Sequence, residues 1–387
     1  MRDEAEHKAD SGVVELGARR CRDAEGVTVQ VGIVGCGVIS KHYAANAAAF
    51  DVFEVVACAD VLPPAAEELA AAHGLTALPV DDLLADPAID VVLNLTPSTA
   101  HAEVTRAALA AGKHVYTEKP LGLRVREATA LLREAERRGL RIGCAPDIFL
   151  GGAYQAAREL IDDGAIGAPL AVSAAMLLEG ADAWHPSPEQ FFQDGAGPLL
   201  DMGPYYISAI VALLGPVRRV AGFASTHRAE RRVMVGPRAG EAFPVGTPTH
   251  TAATMELDGA VTANLVASFD ATDRYVCDFF VHGAQGDLSL PDPNAFEGPL
   301  RIRRGRGDWE SVAYASRGAA EARGIGLADM AEAIAGGGDH RASGELGLHV
   351  VDVARSILES ADKGRAVSVG TSAARPAPLP VEASVAR

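Results

Sequence analysis

The chain has 387 residues, 48% of them hydrophobic, which is more than one ordinary core holds and enough for two. Its formal charge of −16 repels polyanions, which argues against nucleic acid and against an anionic membrane surface as partners. No apolar run reaches the roughly 18 residues of a membrane helix. Five cysteines, odd in number, scattered and never spaced CxxC, form neither a disulfide framework nor a zinc site, so reduced thiols in a cytoplasmic protein are the simple reading. Arg19-Arg20 is followed by Cys21-Arg22-Asp23-Ala24 rather than by the apolar stretch of an export signal, and residues 1–26 read as a mobile extension.

From Val27 strands and helices alternate. Val27–Val34 is an apolar strand that ends in Gly35-Cys36-Gly37-Val38-Ile39-Ser40 and runs into a helix reaching Phe50. Phe53–Asp60 is a second strand, followed by a helix from Pro64 to His73. Asp90–Leu95, His114–Thr117 and Leu140–Cys144 are further strands, separated by helices over Thr99–Ala111 and Arg124–Arg138. Continuous apolar strands alternating with helices predict a parallel sheet covered on both faces, so residues 27–146 are expected to form a doubly wound α/β domain.

After Pro146 the pattern changes. A helix over Ala153–Asp162 and a strand at Pro169–Val172 are followed by strand-like segments at Val220–Ser225, Thr251–Leu257, Ala260–Phe269 and Tyr275–Val281. The alternation in Thr251–Leu257 predicts a mainly antiparallel sheet covered on one face, with helices near Tyr205–Leu214 and Leu346–Glu359 as cover or as a return to the first domain. The basic run Arg301–Arg306 reads as a solvated hairpin. Residues 147–370 are expected to be a substrate and oligomerisation domain of α+β type, and residues 371–387, with Pro376, Pro378 and Pro380, an extended tail.

Gly35-x-Gly37-x-x-Ser40 stands between strand and helix, where a dinucleotide turn belongs. Gly35 permits the tight turn, Gly37 lets a pyrophosphate approach the backbone, and the helix start offers N–H groups to the anion. Ser40 stands in for the third glycine and is still small. Asp60 closes the next strand, where a carboxylate meets the ribose hydroxyls, although the same residue would also cap the helix that follows. No Arg or Lys follows within Val61–Ala66 to hold a 2′-phosphate, so NAD is favoured and NADP is the alternative. Asn94-Leu95-Thr96-Pro97 with His101, and Glu118-Lys119-Pro120, end two later strands at the sheet edge that binds ligands. Lys119 before a proline is biased to an extended backbone that aims its ammonium; a solvated surface lysine is the bland alternative.

Gly35-Cys36-Gly37-x-Ile39-Ser40, Thr96-Pro97 with His101, Ala111–Val115 with Glu118-Lys119-Pro120, and Gly195 with Leu200-Asp201-Met202-Gly203 together resemble the Gfo/Idh/MocA oxidoreductases over about residues 27–370. The resemblance implies a Rossmann-type nicotinamide domain, an open-faced antiparallel sheet domain, and oxidation or reduction of a carbinol on a sugar, cyclitol or related polyol. It implies Lys119 as the essential lysine and Gly35, Gly37, Val38, Ile39, Asp60, Asn94, Thr96, Pro97, His101, Glu118 and Lys119 at the cofactor.

Many members of that family carry Asp-x-Gly-x-His with a histidine acid/base. This chain has Asp201-Met202-Gly203-Pro204-Tyr205, with Ser208 where an aspartate is frequent, and so is similar to the branches that place tyrosine there. Tyr205 is read as the proton donor and acceptor, Lys119 as polarising the oxygen and as lowering the phenol from its ordinary value near 10, and Asp201 as orienting both. An aromatic pair packed beneath the sheet is the other reading of Tyr205 and Tyr206. Asp147 is expected to face the cleft, and Trp184-His185 to offer a platform for sugar C–H faces, unless the loop only anchors itself. The family often has Asn or Arg near Asp147, and the absence of one here argues against a phosphorylated substrate. No metal site is expected. An uncovered sheet face would favour a homo-oligomer. Two other functions fit the same scaffold: a glycosidase acting by transient oxidation, and a cofactor-binding regulator without turnover.

Overall fold

Continuous apolar runs build the first sheet of the computed structural model, which describes residues 28–272, 276–315 and 323–379. β1 (Val29–Val34) leads into α1 (Val38–Asn46), β2 (Phe53–Ala59) into α2 (Pro63–His73), and the short β3 (Thr76–Ala77) into α3 (Val80–Ala85). β4 (Val91–Asn94), α4 (His101–Ala110), β5 (His114–Thr117), α5 (Val125–Arg138) and β6 (Ile142–Cys144) complete the alternation. The six strands pair in parallel in the order β3-β2-β1-β4-β5-β6. The order reverses between β1 and β4, which opens a crevice at their carboxyl ends. Val31, Ile33, Val91, Val92 and Leu93 are fully buried, as strands covered on both faces must be. β3 escapes sequence reading because it is an exposed two-residue edge with no apolar run.

The second half adds α6 (Gly152–Asp162), β7 (Pro169–Leu177), α7 (Pro198–Asp201), α8 (Gly203–Leu214), β8 (Val217–Ser225), β9 (Glu230–Arg232), β10 (Ala242–Pro244), β11 (His250–Leu257), β12 (Thr262–Ser268), β13 (Val276–Gly283), β14 (Gly286–Leu290), β15 (Arg301–Arg304) and β16 (Glu310–Ser311). Two helices, α9 (Ile325–Gly336) and α10 (Gly344–Lys363), and β17 (Val367–Ser368) follow. Nine strands form one sheet in the order β16-β15-β14-β13-β7-β12-β11-β8-β17. Its pairs are antiparallel except β7 with β12. Met255, Leu257, Ala263 and Leu265 point into the core under α8 and α10, whereas Thr254 and Asn264 point outward. No helix among the described residues covers the outer face, and Phe223 on it is 81% exposed.

Several expectations change. The strand begun at Pro169 runs on to Leu177. The basic run is the hairpin expected: Arg301–Arg304 is strand β15, paired to β14 and, across a turn, antiparallel to β16, with Arg303 on the Asp287 carboxylate at 2.6 Å. Tyr275 and residues 1–27 lie outside the described residues. The chain returns to the first domain after α9, where the Cys144 N–H donates to the Ala342 carbonyl at 2.9 Å and Gly143 bridges to Ser343. The described part of the tail lies along α6: Arg158 donates to the Pro376 carbonyl and the Leu379 N–H to Gln155 Oε1, each at 2.8 Å. None of the four described cysteines is in a disulfide, and Cys21 lies outside the described residues. No helix among the described residues is long and apolar enough to cross a membrane.

Candidate active site

The turn after β1 is shaped for close approach. Gly35 has φ +100°, and a Cβ there would stand 2.7 Å from the Leu95 carbonyl carbon and the Thr96 nitrogen, so only glycine fits. Apart from its chain neighbours, no atom of the described residues lies within 4 Å of where a Cβ on Gly37 would be, which leaves the backbone before α1 open. Ser40 is fully buried and donates its hydroxyl to the Gly37 carbonyl at 2.6 Å, closing the turn where a third glycine would stand. Asp60 accepts the Cys36 N–H at 2.7 Å and the Leu62 N–H at 2.8 Å, so its carboxylate lies against the turn. Val38, Val61 and Leu62 are 78%, 88% and 65% exposed, and Ile39 is half-buried. Helix-start N–H groups, a carboxylate and exposed apolar side chains are the donor set that pyrophosphate, ribose and adenine require, and the residues present fit a dinucleotide.

Two residues expected at the cofactor are internal braces instead. Asn94 is fully buried; its amide donates to the His101 carbonyl and Thr105 Oγ1 and accepts the Thr96 N–H and hydroxyl, which engages the whole side chain in the turn between β4 and α4. His101 is 1% exposed, with Nδ1 2.8 Å from the Pro120 carbonyl and Nε2 2.7 Å from the Thr96 carbonyl. Burial holds its ring below the usual histidine range. It ties the β4 loop to the Lys119 loop and offers nothing to the crevice. Thr96 is half-buried and Pro97 exposed on that loop.

Lys119, Asp201 and Tyr205, far apart in the chain, come together. Lys119 Nζ donates to Asp201 Oδ1 at 2.6 Å and to the Asp201 carbonyl at 2.7 Å. It also stands 5.2 Å from the centre of the Tyr205 ring. Asp201 ends α7 and Tyr205 lies in the first turn of α8, so two consecutive helices present both. Burial works against the Lys119 ammonium, but the Asp201 and Glu118 carboxylates outweigh it and hold Lys119 protonated above its ordinary range. Tyr205 corrects an expectation. Burial raises its phenol, and the pull of Lys119 and Arg323 does not overcome it, so the hydroxyl stays neutral.

Around this trio the fold adds side chains that sequence reading missed. Tyr43, on the inner side of α1, donates its hydroxyl to Glu118 Oε1 at 3.1 Å, while Glu118 Oε2 accepts the Lys119 N–H. Arg323, just before α9, brings a guanidinium nitrogen to 3.9 Å from Glu118 Oε1. Neither carries a motif: Tyr43 is one aromatic among helix residues, and Arg323 only precedes Gly324-Ile325-Gly326.

Asp147 is also a correction. It is fully buried and does not face the cleft; Oδ2 accepts the Tyr116 hydroxyl at 3.2 Å and the Gly326 N–H at 2.8 Å, at the start of α9. Oδ1 has no hydrogen-bond partner among the described residues, and burial pushes the carboxyl up. The residue clasps β5 to α9. Tyr206 packs beneath the sheet 6.2 Å from Phe279 and is fully buried. Trp184 is 61% exposed, with its ring 5.4 Å from His185 and 5.6 Å from Phe191. No contact among the described residues joins Trp184 or His185 to Lys119, Asp201 or Tyr205. No group of three His, Cys, Asp or Glu side chains among the described residues is placed to hold a metal.

A doubly wound sheet with this turn and with a lysine at the end of β5, facing a carboxylate and a phenol presented by the second half of the chain, defines an NAD-binding oxidoreductase. The family profile described as an oxidoreductase family with an NAD-binding Rossmann fold matches residues 29–145, and the GFO/IDH/MocA C-terminal domain matches residues 154–289. The dTDP-3,4-didehydro-2,6-dideoxy-alpha-D-glucose 3-reductase of Streptomyces violaceoruber is 33% identical over 291 residues, 73% of this chain and 80% of that one. The inositol 2-dehydrogenase of Rhizobium meliloti is 26% identical over 352 residues, 89% of this chain and 100% of that one. A levoglucosan dehydrogenase solved with NADH and levoglucosan superposes with a TM-score of 0.79 at 25% identity, covering 89% of this chain and 100% of the other. The chain belongs to the Gfo/Idh/MocA family of oxidoreductases.

Proposed function

We propose that this oxidoreductase moves a hydride between nicotinamide and a carbinol or ketone carbon of a sugar, cyclitol or related polyol. The observation that carries the reading is the cluster in which Lys119 Nζ meets Asp201 at 2.6 Å and stands 5.2 Å from the Tyr205 ring. Gly35, Gly37, Val38, Ile39, Thr96, Pro97, Asp60 and Glu118 would hold NAD, which when bound takes the hydride in oxidation and returns it in reduction. The Asp60 carboxylate suits ribose hydroxyls and would repel a 2′-phosphate, which favours NAD over NADP.

In reduction, Tyr205 donates its hydroxyl proton to the carbonyl oxygen as that oxygen gains negative charge, and Lys119 donates a hydrogen bond to the same oxygen. Asp201 fixes the ammonium in place and keeps it charged. In oxidation the same groups run in reverse: Tyr205, as phenolate, takes the proton from the carbinol. A buried neutral phenol is ready for the first direction at neutral pH and needs alkali for the second.

The Lys119, Asp201 and Tyr205 cluster supports turnover over a sensing role, since a sensor needs only the dinucleotide turn. The face of the nine-stranded sheet left uncovered by the described residues, with Phe223 81% exposed, supports self-association into a homo-oligomer. Cysteines without a disulfide among the described residues support a cytoplasmic protein. Trp184 and His185 are assigned to the substrate side on their exposure alone. The test is the absorbance of reduced nicotinamide on mixing with a panel of polyols, sugars and their ketones, with NAD and NADP in parallel. Dinucleotide binding without any absorbance change across the panel would refute the proposal.

A further inference from the structure

We infer that Arg323 is an oxyanion-binding residue of the substrate pocket, and that the substrate is a sugar or polyol bearing a carboxylate or a phosphate. This rests on the reading of Lys119 and Tyr205 as the reacting centre. Sequence reading found no cation for such a group near Asp147, and the fold supplies one from the other end of the chain.

The charges around the reacting centre are otherwise engaged. Lys119 is held by Asp201 through two contacts. Asp147 is buried against Tyr116 and Gly326. Glu118 takes the Tyr43 hydroxyl on Oε1 and a backbone N–H on Oε2. Arg323 differs. Its side chain is 17% exposed, and its one ion pair among the described residues, to Glu118 Oε1, spans 3.9 Å, beyond hydrogen-bonding reach. The guanidinium, with five N–H donors in a planar fork, makes no hydrogen bond to any described residue. Its backbone is anchored, since the Asn46 amide donates to the Arg323 carbonyl at 3.4 Å. A mostly buried guanidinium 3.9 Å from Glu118, the residue before Lys119, with its fork unmet among the described residues, matches the bidentate geometry of a carboxylate or a phosphate.

The test is calorimetric titration of the NADH-loaded protein with D-glucose, D-glucuronate and D-glucose 6-phosphate, and with D-galactose and D-galacturonate. The expected result is that at least one anion binds about 10-fold to 100-fold more tightly than its neutral parent, the range of a charge-assisted hydrogen-bonded pair. Arg323→Met removes that advantage while NADH affinity holds, and Arg323→Lys restores part of it. A preference for glucuronate or galacturonate identifies a carboxylate, and a preference for glucose 6-phosphate identifies a phosphate. Anions that bind no better than their parents, an advantage that survives Arg323→Met, or a loss of NADH affinity in place of sugar affinity would each overturn the inference. Lys119→Met separates it from the reading beneath: undiminished turnover in that variant refutes the reacting centre, whereas the anion preference reports on Arg323 alone.

Discussion

Removing one oxygen from Tyr205 is the sharpest perturbation of the proton path. Tyr205→Phe keeps a ring that is 6% exposed and leaves the Lys119 pair with Asp201 intact, so the fold and the dinucleotide turn are unaffected. The hydroxyl is the group placed to give or take the proton, and a positioned acid or base is worth about 10²–10⁴-fold in rate. At 1.36 kcal/mol per tenfold, that is about 3–5 kcal/mol of barrier. The loss falls on kcat, because the phenol proton moves only as charge develops on the oxygen. Stopped-flow absorbance of reduced nicotinamide in both directions measures it. Burial raises the Tyr205 phenol, so wild-type oxidation rises with pH and reaches no plateau below about 10, while reduction is flat across neutral pH. The phenylalanine variant loses that rise. A variant within about threefold of wild-type kcat, with the same pH profile, would refute the assignment.

Two further outcomes follow from other parts of the fold. Asp60→Ala removes a carboxylate that braces the turn through the Cys36 and Leu62 N–H groups, and is expected to raise the NAD dissociation constant by about 10-fold to 100-fold, read by quenching of protein fluorescence; unchanged NAD affinity would refute the placement. His349 is fully buried, accepts the Val217 N–H at 3.1 Å and is pulled down to about 4 by burial, with Asp352 opposing and Arg218 adding to the shift. The unfolded chain therefore binds a proton near pH 6.5 that the folded chain takes up only near 4. Stability is full above 6.5 and falls by about 3 kcal/mol as pH drops to 4, which urea unfolding of wild type against His349→Gln resolves; equal pH slopes would contradict it.

The parts legible in the sequence are those whose chemistry is local. A buried parallel strand must be a continuous apolar run, so five of the six first-sheet strands show themselves, and β3, with exposed Thr76 and Ala77, does not. Gly35, Gly37, Ser40 and Asp60 sit at fixed offsets around one strand-turn-helix unit, and their geometry follows from that unit. Lys119 is legible at a strand end, and Asp201 and Tyr205 through the resemblance to the family's Asp-x-Gly-x-His pattern, with tyrosine in the histidine's place. Polar residues at a strand end are ambiguous by contrast: Asn94 and His101 look like ligands of a crevice, yet the loop needs them to satisfy its own carbonyls and amides. Asp147 misleads for the same reason, since it answers a helix start nearly two hundred positions later in the chain. Arg323 and Tyr43 carry no local signal, because only the return of α9 to the first sheet and the inward turn of α1 bring them to Glu118. The sign of the Tyr205 shift was missed because a neighbouring ammonium is readable from motifs and the depth of burial is not.

The central claim is that Lys119 and Tyr205 act on one oxygen. A double-mutant cycle on kcat with Lys119→Met, Tyr205→Phe and the pair, on protein with confirmed NADH binding, tests it most directly. Joint action predicts that the pair loses little more than the worse single variant, within about threefold. Losses that multiply, as for groups working independently, would contradict the account.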